Sequence, residues 1–203
     1  MTGVGGQGIV KAGQLIGKAV TSSGANAVMS EIHGMSQRGG IVSVDLRIGS
    51  NVYGPIIPDG AADLLIGFEA VETLRALCRI GKSATILMST EKIVPVSVNL
   101  GDSTYPDTDN LATTLRERGA RLYAIDAPRL AREAGNLKST NVVLVGAAYA
   151  AGFIPVPLST LNEALQSIFP ERSWGSNLRS LELGIDEFKK LSCSVEENEA
   201  LEL

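Results

Sequence analysis

The sequence is poor in the residues that build redox and metal centres. Its 203 residues include two cysteines, Cys78 and Cys193, and one histidine, His33. Two cysteines cannot supply the thiolates of a four-cysteine iron–sulfur cluster, and no Cys-x-x-Cys pair exists. Cys78 lies in a helix-like run and Cys193 near the tail. Both read as free thiols in a reducing, cytoplasmic setting. No metal site is expected. Aromatic residues are 4%, so any core must be built from Val, Ile, Leu and Ala. Basic charge is also lacking: 18 Lys and Arg face 22 Asp and Glu, for a net charge of −4, and no basic stripe is visible. That excludes nucleic acid as a natural partner. No apolar run reaches the roughly 18 residues of a membrane helix. The start lacks a basic region followed by an apolar core, so no signal peptide is expected.

Apolar residues make up 44% and charged residues 20%, enough to bury a sizeable core. The length suits one domain. Residues 1–192 read as a single α/β domain and residues 193–203 as an acidic, solvated tail, with no internal repeat and no linker. The 22 glycines cluster, as in α/β turns and phosphate loops.

The first cluster opens the chain. Gly3, Gly5 and Gly8 fit G-x-G-x-x-G, with Gly6 between them, and an amphipathic helix through Ile9, Ala12, Gly13, Ile16 and Val20 follows until Gly24. The free N–H groups of that helix start would favour an anion. Glu31 falls about where a dinucleotide fold places its ribose-binding acid. An NAD(P)- or flavin-binding unit is therefore one reading, and close helix–strand packing without a ligand is another. Only Met1 and Thr2 precede Gly3, too few for the strand such a motif needs ahead of it.

The second cluster is Glu31-Ile-His-Gly-Met-Ser-Gln-Arg-Gly-Gly40. It puts an acid, the histidine, an arginine and three glycines into a loop expected between two strands. Arg38 suits a carboxylate or phosphate, because a guanidinium fork matches both. His33 can donate a hydrogen bond or a proton. Glu31 can hold either of them in place. The alternative for each is structural, with the polar groups satisfying the loop's own backbone.

The rest reads as β/α units. Alternation predicts a strand over 27–30 and another over 40–48, then a turn at Gly49-Ser-Asn51 and a second strand over 52–57 that closes an antiparallel hairpin. A buried strand is expected over 62–67, a helix over 69–79 with Val71, Leu74, Leu77 and Cys78 inward and Gly81 ending it, then strands over 84–88 and 93–98. A polar loop over 101–109 leads to a helix that ends at Gly119, then a strand over 121–126 and a helix over 128–134. Residues 141–152, nearly all small or apolar, predict a buried helix, and two amphipathic helices follow Ser159 and Trp174. The fold class is α/β: three layers around a mixed, mainly parallel sheet, with an antiparallel hairpin, a Rossmann-like start and a helical C-terminal part.

Three ordered words carry a resemblance: Gly3-Val-Gly-Gly-Gln-Gly8, Glu31 to Gly40, and Ala62-Asp-Leu-Leu-Ile-Gly-Phe-Glu69. Over roughly residues 3–190 the chain resembles the small, gamma-type subunit of 2-oxoacid:ferredoxin oxidoreductases. The His33-Gly-Met-Ser-Gln-Arg-Gly-Gly40 wording is most similar to the indolepyruvate (arylpyruvate) branch, where this chain is the beta subunit. The departure is at the start, where the family carries a short apolar strand before the glycines. The resemblance implies CoA-dependent oxidative decarboxylation of a 2-oxoacid on a catalytic partner subunit. Thiamine diphosphate, magnesium and the iron–sulfur clusters would sit on that partner, with none held by this chain alone. Electrons would pass through the complex to ferredoxin, and CoA would be co-substrate. The chain would not be active alone. Arg38, His33 and Glu31 are the implied catalytic contributors, and Gly3, Gly5, Gly6 and Gly8 an implied contact for the CoA phosphate. Two alternatives stay open: a stand-alone NAD(P)- or flavin-binding domain, and an assembly subunit that shapes its partner's site without touching substrate. Whether the isolated chain forms a homodimer also stays open.

Overall fold

The computed structural model describes residues 1–34, 40–93 and 120–201, with side chains through Ser194 in the last helix. A six-stranded sheet runs β2-β3-β1-β4-β5-β6. Its strands are β1 (Thr2–Val4), β2 (Ala27–His33), β3 (Ile41–Ile48), β4 (Ala62–Gly67), β5 (Ile80–Ser89) and β6 (Arg121–Ile125). β2, β3 and β1 pair antiparallel, whereas β1, β4, β5 and β6 pair parallel. The mixed α/β sheet with an antiparallel pair is therefore present as expected.

Alternation along the parallel strands feeds two cores. Ile66, Leu87, Tyr123 and Ile125 join the larger one, against α1 (Ile9–Ser22), α3 (Ala127–Glu133), α4 (Thr140–Ala150), α5 (Leu158–Ile168) and α6 (Trp174–Leu201). Leu65, Ile86 and Met88 face the other way, against α2 (Ala70–Arg75) and the 3₁₀ turn Ala76–Arg79. Period-two side-chain direction in a strand requires this split. α4 is buried from Asn141 to Ala148 and, past Asn141, is apolar on every side of that stretch, as residues 141–152 predict. It meets α6 backbone to backbone: a Cβ on Gly146 would collide with the Leu181 carbonyl, and one on Gly184 with that of Val143.

Several expectations are corrected. Gly3 does not follow a strand but lies inside one, because Thr2–Val4 pairs with Ser43–Ile41 on one side and reaches Gly67 on the other. The antiparallel hairpin joins β2 to β3, in place of the 41–48/52–57 pair. Residues 52–57 form no strand. Pro55 and Pro58 lack the N–H a ladder needs, and the segment is tied down by side chains: Ile57 N–H donates to Asp45 Oδ2 at 3.0 Å and Arg47 Nη1 to the Gly54 carbonyl at 3.1 Å. Glu31, Ile32 and His33 are the end of β2 and not a loop, with His33 opposite Val42. The helix after Glu69 gives way to a 3₁₀ turn at Ala76, Gly81 lies within β5, and Cys78 is exposed, as is Cys193; both are free thiols. Residues 193–201, the start of the acidic tail, continue α6. The strand expected over 93–98, the loop over 101–109 and the helix ending at Gly119 fall largely or wholly outside the described residues, as does Arg38.

Candidate functional site

The three singled-out words converge on one edge of the sheet, at the carboxyl ends of the parallel strands. In open α/β sheets that edge, where strand order reverses, is where ligands bind. Gly5 N–H donates to the Gly40 carbonyl at 2.8 Å, joining the first glycine cluster to the second. Phe68, at the end of the third word, donates its N–H to the Thr2 carbonyl at 2.9 Å.

Gln7 locks this junction. Its Oε1 accepts from Val4 N–H at 2.8 Å, while its Nε2 donates to the Phe68 carbonyl at 2.9 Å and to Glu91 Oε2 at 3.0 Å. The amide has one workable orientation here, since Val4 offers a donor and the other two offer acceptors. Gly3 is glycine because this amide and Phe68 leave no room: a Cβ would stand 2.6 Å from Gln7 Oε1 and 2.7 Å from Phe68 Cβ. The close-packing alternative is thus what Gly3 does. Gly8 differs. It begins α1 at φ 77 with no side-chain cap, and its carbonyl accepts from Asn141 Nδ2 at 3.1 Å. A left-handed residue pressed against Asn141 must be glycine. The Gly8 turn leaves the first N–H groups of a 14-residue helix without a capping side chain.

These groups open onto a cleft of about 1180 Å³. Gly5, Gly6 and Gly8 line one side and His33 the sheet edge; residues around Asn136–Asn141 and Phe169–Asn177 form the opposite wall. Its charged lining is Lys11, Lys138 and Arg172 against the single carboxylate of Glu91, counted among the described residues. Lys11 Nζ lies 5.4 Å from the Phe169 ring centre, holding it along the cleft wall. A helix start without a capping side chain and, among the described residues, a cationic excess together suit a phosphate-bearing ligand. A second cleft, of about 470 Å³, lies toward the opposite end of β3, between Leu46, Ile48, Ile57 and Phe153.

Of the sequence-singled residues, the structure brings Glu31 and His33 together, with Oε2 and Nε2 3.2 Å apart and both side chains exposed. His33 reaches the cleft. Glu31 is separated from the glycine loop by the whole of β3, about 10 Å of sheet at ordinary strand spacing. In a dinucleotide fold the acid-bearing strand lies parallel and next to the first. Here an antiparallel strand intervenes, so Glu31 does not take the ribose-acid position. Gln7, Glu91, Asn141 and the three cations were not singled out from sequence. Gln7 sat inside the motif and carried a signal; Asn141 lies 133 residues from Gly8 and carried none. Among the described residues no group of His, Cys, Asp and Glu is arranged to hold a metal, and no helix is long and apolar enough to cross a membrane.

Comparison with known proteins gives the family and the fold. Residues 1–187 match the family model described as pyruvate ferredoxin/flavodoxin oxidoreductase. The chain is 41% identical over 182 residues to indolepyruvate oxidoreductase subunit IorB of Methanothermobacter thermautotrophicus, covering 90% of this chain and 92% of the relative. Its fold matches the gamma subunit of a keto/oxoacid ferredoxin oxidoreductase from Geobacter sulfurreducens, with a TM-score of 0.68 at 20% identity over 93% of this chain and 96% of that one. It also matches 2-oxoglutarate:ferredoxin oxidoreductase from Magnetococcus marinus, solved with 2-oxoglutarate, coenzyme A and succinyl-CoA bound. There the TM-score is 0.71 at 20% identity, over 94% of this chain but 30% of that longer one. The chain belongs to the pyruvate ferredoxin/flavodoxin oxidoreductase family.

Proposed function

We propose that this chain is the small subunit of an indolepyruvate (arylpyruvate) ferredoxin oxidoreductase. It would support CoA-dependent oxidative decarboxylation on a catalytic partner subunit that reduces ferredoxin. The observation that carries the reading is the 41% identity to an indolepyruvate oxidoreductase subunit over nearly its full length. The His33-Gly-Met-Ser-Gln-Arg-Gly-Gly40 wording supports the same branch.

The phosphate end of CoA would lie in the cleft. The α1 start and the N–H groups of Gly6 and Gly8 would receive a phosphate, and Lys11, Lys138 and Arg172 would balance its charge. Gln7 holds the loop in the shape this needs. His33 stands at the mouth with Glu31 behind it, placed to donate a hydrogen bond toward a ligand or the partner, while Arg38 would pair with a carboxylate or phosphate. Thiamine diphosphate with magnesium and the iron–sulfur clusters would be held by the partner, where they would supply the electron sink for decarboxylation and the path for the electrons. With two exposed, separate cysteines, this chain's own donor set does not fit a cluster. Two exposed free thiols suit a reducing cytoplasm.

Arg38→Ala in the assembled complex tests the site. Turnover falling at least about tenfold, with the complex intact, assigns Arg38 to the reaction. Unchanged turnover in an intact complex removes it. Loss of the complex alone favours the assembly-subunit reading.

A further inference from the structure

We propose that the free edge of β2 is a strand-addition site, filled in the complex by an extended segment of the large oxidoreductase subunit. The inference rests on the small-subunit reading above. Among the described residues β2 pairs with β3 alone and ends the sheet. The β2–β3 register runs unbroken from Ala27↔Ile48 to His33↔Val42. Just beyond each end, Gly49 N–H donates to the Asn26 carbonyl at 3.1 Å and Gly34 N–H to the Ile41 carbonyl at 2.8 Å. Bonded pairs alternate along an antiparallel ladder. Even-numbered residues of β2 therefore face β3, and Ala27, Met29, Glu31 and His33 turn their backbone N–H and C=O groups outward.

Natural edges are protected by bulges, prolines, charged side chains or short length. This one has seven residues, Ala-Val-Met-Ser-Glu-Ile-His, with no proline, no lysine and no register shift, and its one carboxylate, Glu31, lies on the sheet face opposite to that of Ile32. Ile32 and Ile41 lie on one sheet face beside it and are 58% and 43% exposed. On that face α2 packs over β1, β4 and β5, and Arg79 of the 3₁₀ turn pairs with Asp45 in β3, leaving both isoleucines exposed. An open edge with exposed isoleucines on one face is the arrangement that receives an added strand, with backbone bonds giving affinity and apolar side chains fixing register. The occupant is argued from the longer relative, in which the same fold is 30% of one polypeptide and is therefore tethered to a much larger oxidoreductase chain.

The test is residue-resolved amide exchange on the full chain, alone and bound to the large subunit, together with the double variant I32K/I41K. In the complex the amides of Ala27, Met29, Glu31 and His33 should slow at least about tenfold, while those of Val28, Ser30 and Ile32 are protected already in the free chain. I32K/I41K should fold with an unchanged thermal midpoint, since both side chains are exposed, and bind the large subunit at least about 30-fold more weakly. An active complex in which the outward amides exchange as fast as in the free chain overturns the proposal and leaves the small-subunit reading standing. The same protection in the concentrated chain alone overturns the assigned occupant in favour of a second copy. If the unaltered chain does not bind the large subunit, the small-subunit reading fails and the edge proposal with it.

Discussion

Replacing Gln7 tests how the glycine loop is held. In Gln7→Ala three hydrogen bonds go: to Val4 N–H at 2.8 Å, to the Phe68 carbonyl at 2.9 Å and to Glu91 at 3.0 Å. Val4 and Phe68 are buried, so their freed backbone groups carry a desolvation cost of about 1–3 kcal/mol each. The loop borders the open cleft, and water entering from there offsets part of it. A net loss of about 2–3 kcal/mol follows, which for a chain of this size lowers Tm by roughly 5–10 °C. Gln7→Glu sharpens the test. It keeps the acceptor for Val4 but loses both donors and sets a second carboxylate against Glu91. Two carboxylates so close favour sharing a proton. The Gln7→Glu variant should therefore approach wild-type stability near pH 4–5 and fall below it as pH rises. Calorimetric melting across that range, with CoA-dependent turnover of the assembled enzyme measured alongside, gives both readouts. If Gln7→Ala melts within about 1 °C of wild type, or Gln7→Glu follows wild type at every pH, the clamp does not hold the loop.

Other consequences can be measured with ordinary variants. Burial pushes the Glu72 carboxyl above its usual range, with Glu69 adding to the rise and Arg75 opposing it. The native state thus keeps this proton to higher pH than the unfolded chain does. The stability linked to it is complete below the ordinary carboxylate pKa and is lost as pH rises through the raised value. Glu72→Gln should flatten that loss, read as urea midpoints that gain on wild type as pH rises, because the amide oxygen still accepts from Arg75 and the buried unpaired Oε2 charge is gone. Gly146→Ala should destabilise by about 2 kcal/mol despite alanine's better helix propensity, because the clash is with a backbone carbonyl of α6. Gly175→Ala, with open space around its Cα in the same helix α6, should be neutral or stabilising by up to about 1 kcal/mol; equal effects at the two sites would contradict the close helix contact. Gly8→Ala combines a left-handed φ of 77 with collision against Asn141, so thermal melting should show a loss of at least about 1 kcal/mol.

Local pattern revealed what local physics decides. The period of 3.6 gave α1, and a continuous small and apolar run gave the enclosed α4. It misjudged elements settled by distant partners. Residues 52–57 follow a turn signal as a returning strand would, yet Asp45 and Arg47 hold them as a loop. Glu31 and His33 sit beside glycines like loop residues, yet β3 extends the ladder under them. Thr2–Val4 is too short to be recognised alone and becomes a strand because β3 and β4 flank it. The site was legible in the same uneven way. Its glycines, Glu31 and His33 stand in contiguous words. Glu91, Asn141, Lys138 and Arg172 reach the cleft from β/α connections and helices far along the chain, and no spacing announces them.

The most direct measurement of the central claim is purification of the tagged chain from its native cells, with viologen reduction by whatever accompanies it. Indolepyruvate, phenylpyruvate, pyruvate and 2-oxoglutarate would each be supplied with and without CoA. A large iron–sulfur partner carrying thiamine diphosphate is expected, with CoA-dependent reduction that prefers the arylpyruvates. A partnerless chain that binds NAD(H) at micromolar levels would contradict the small-subunit reading, and a partner that turns over pyruvate or 2-oxoglutarate in preference would contradict the branch.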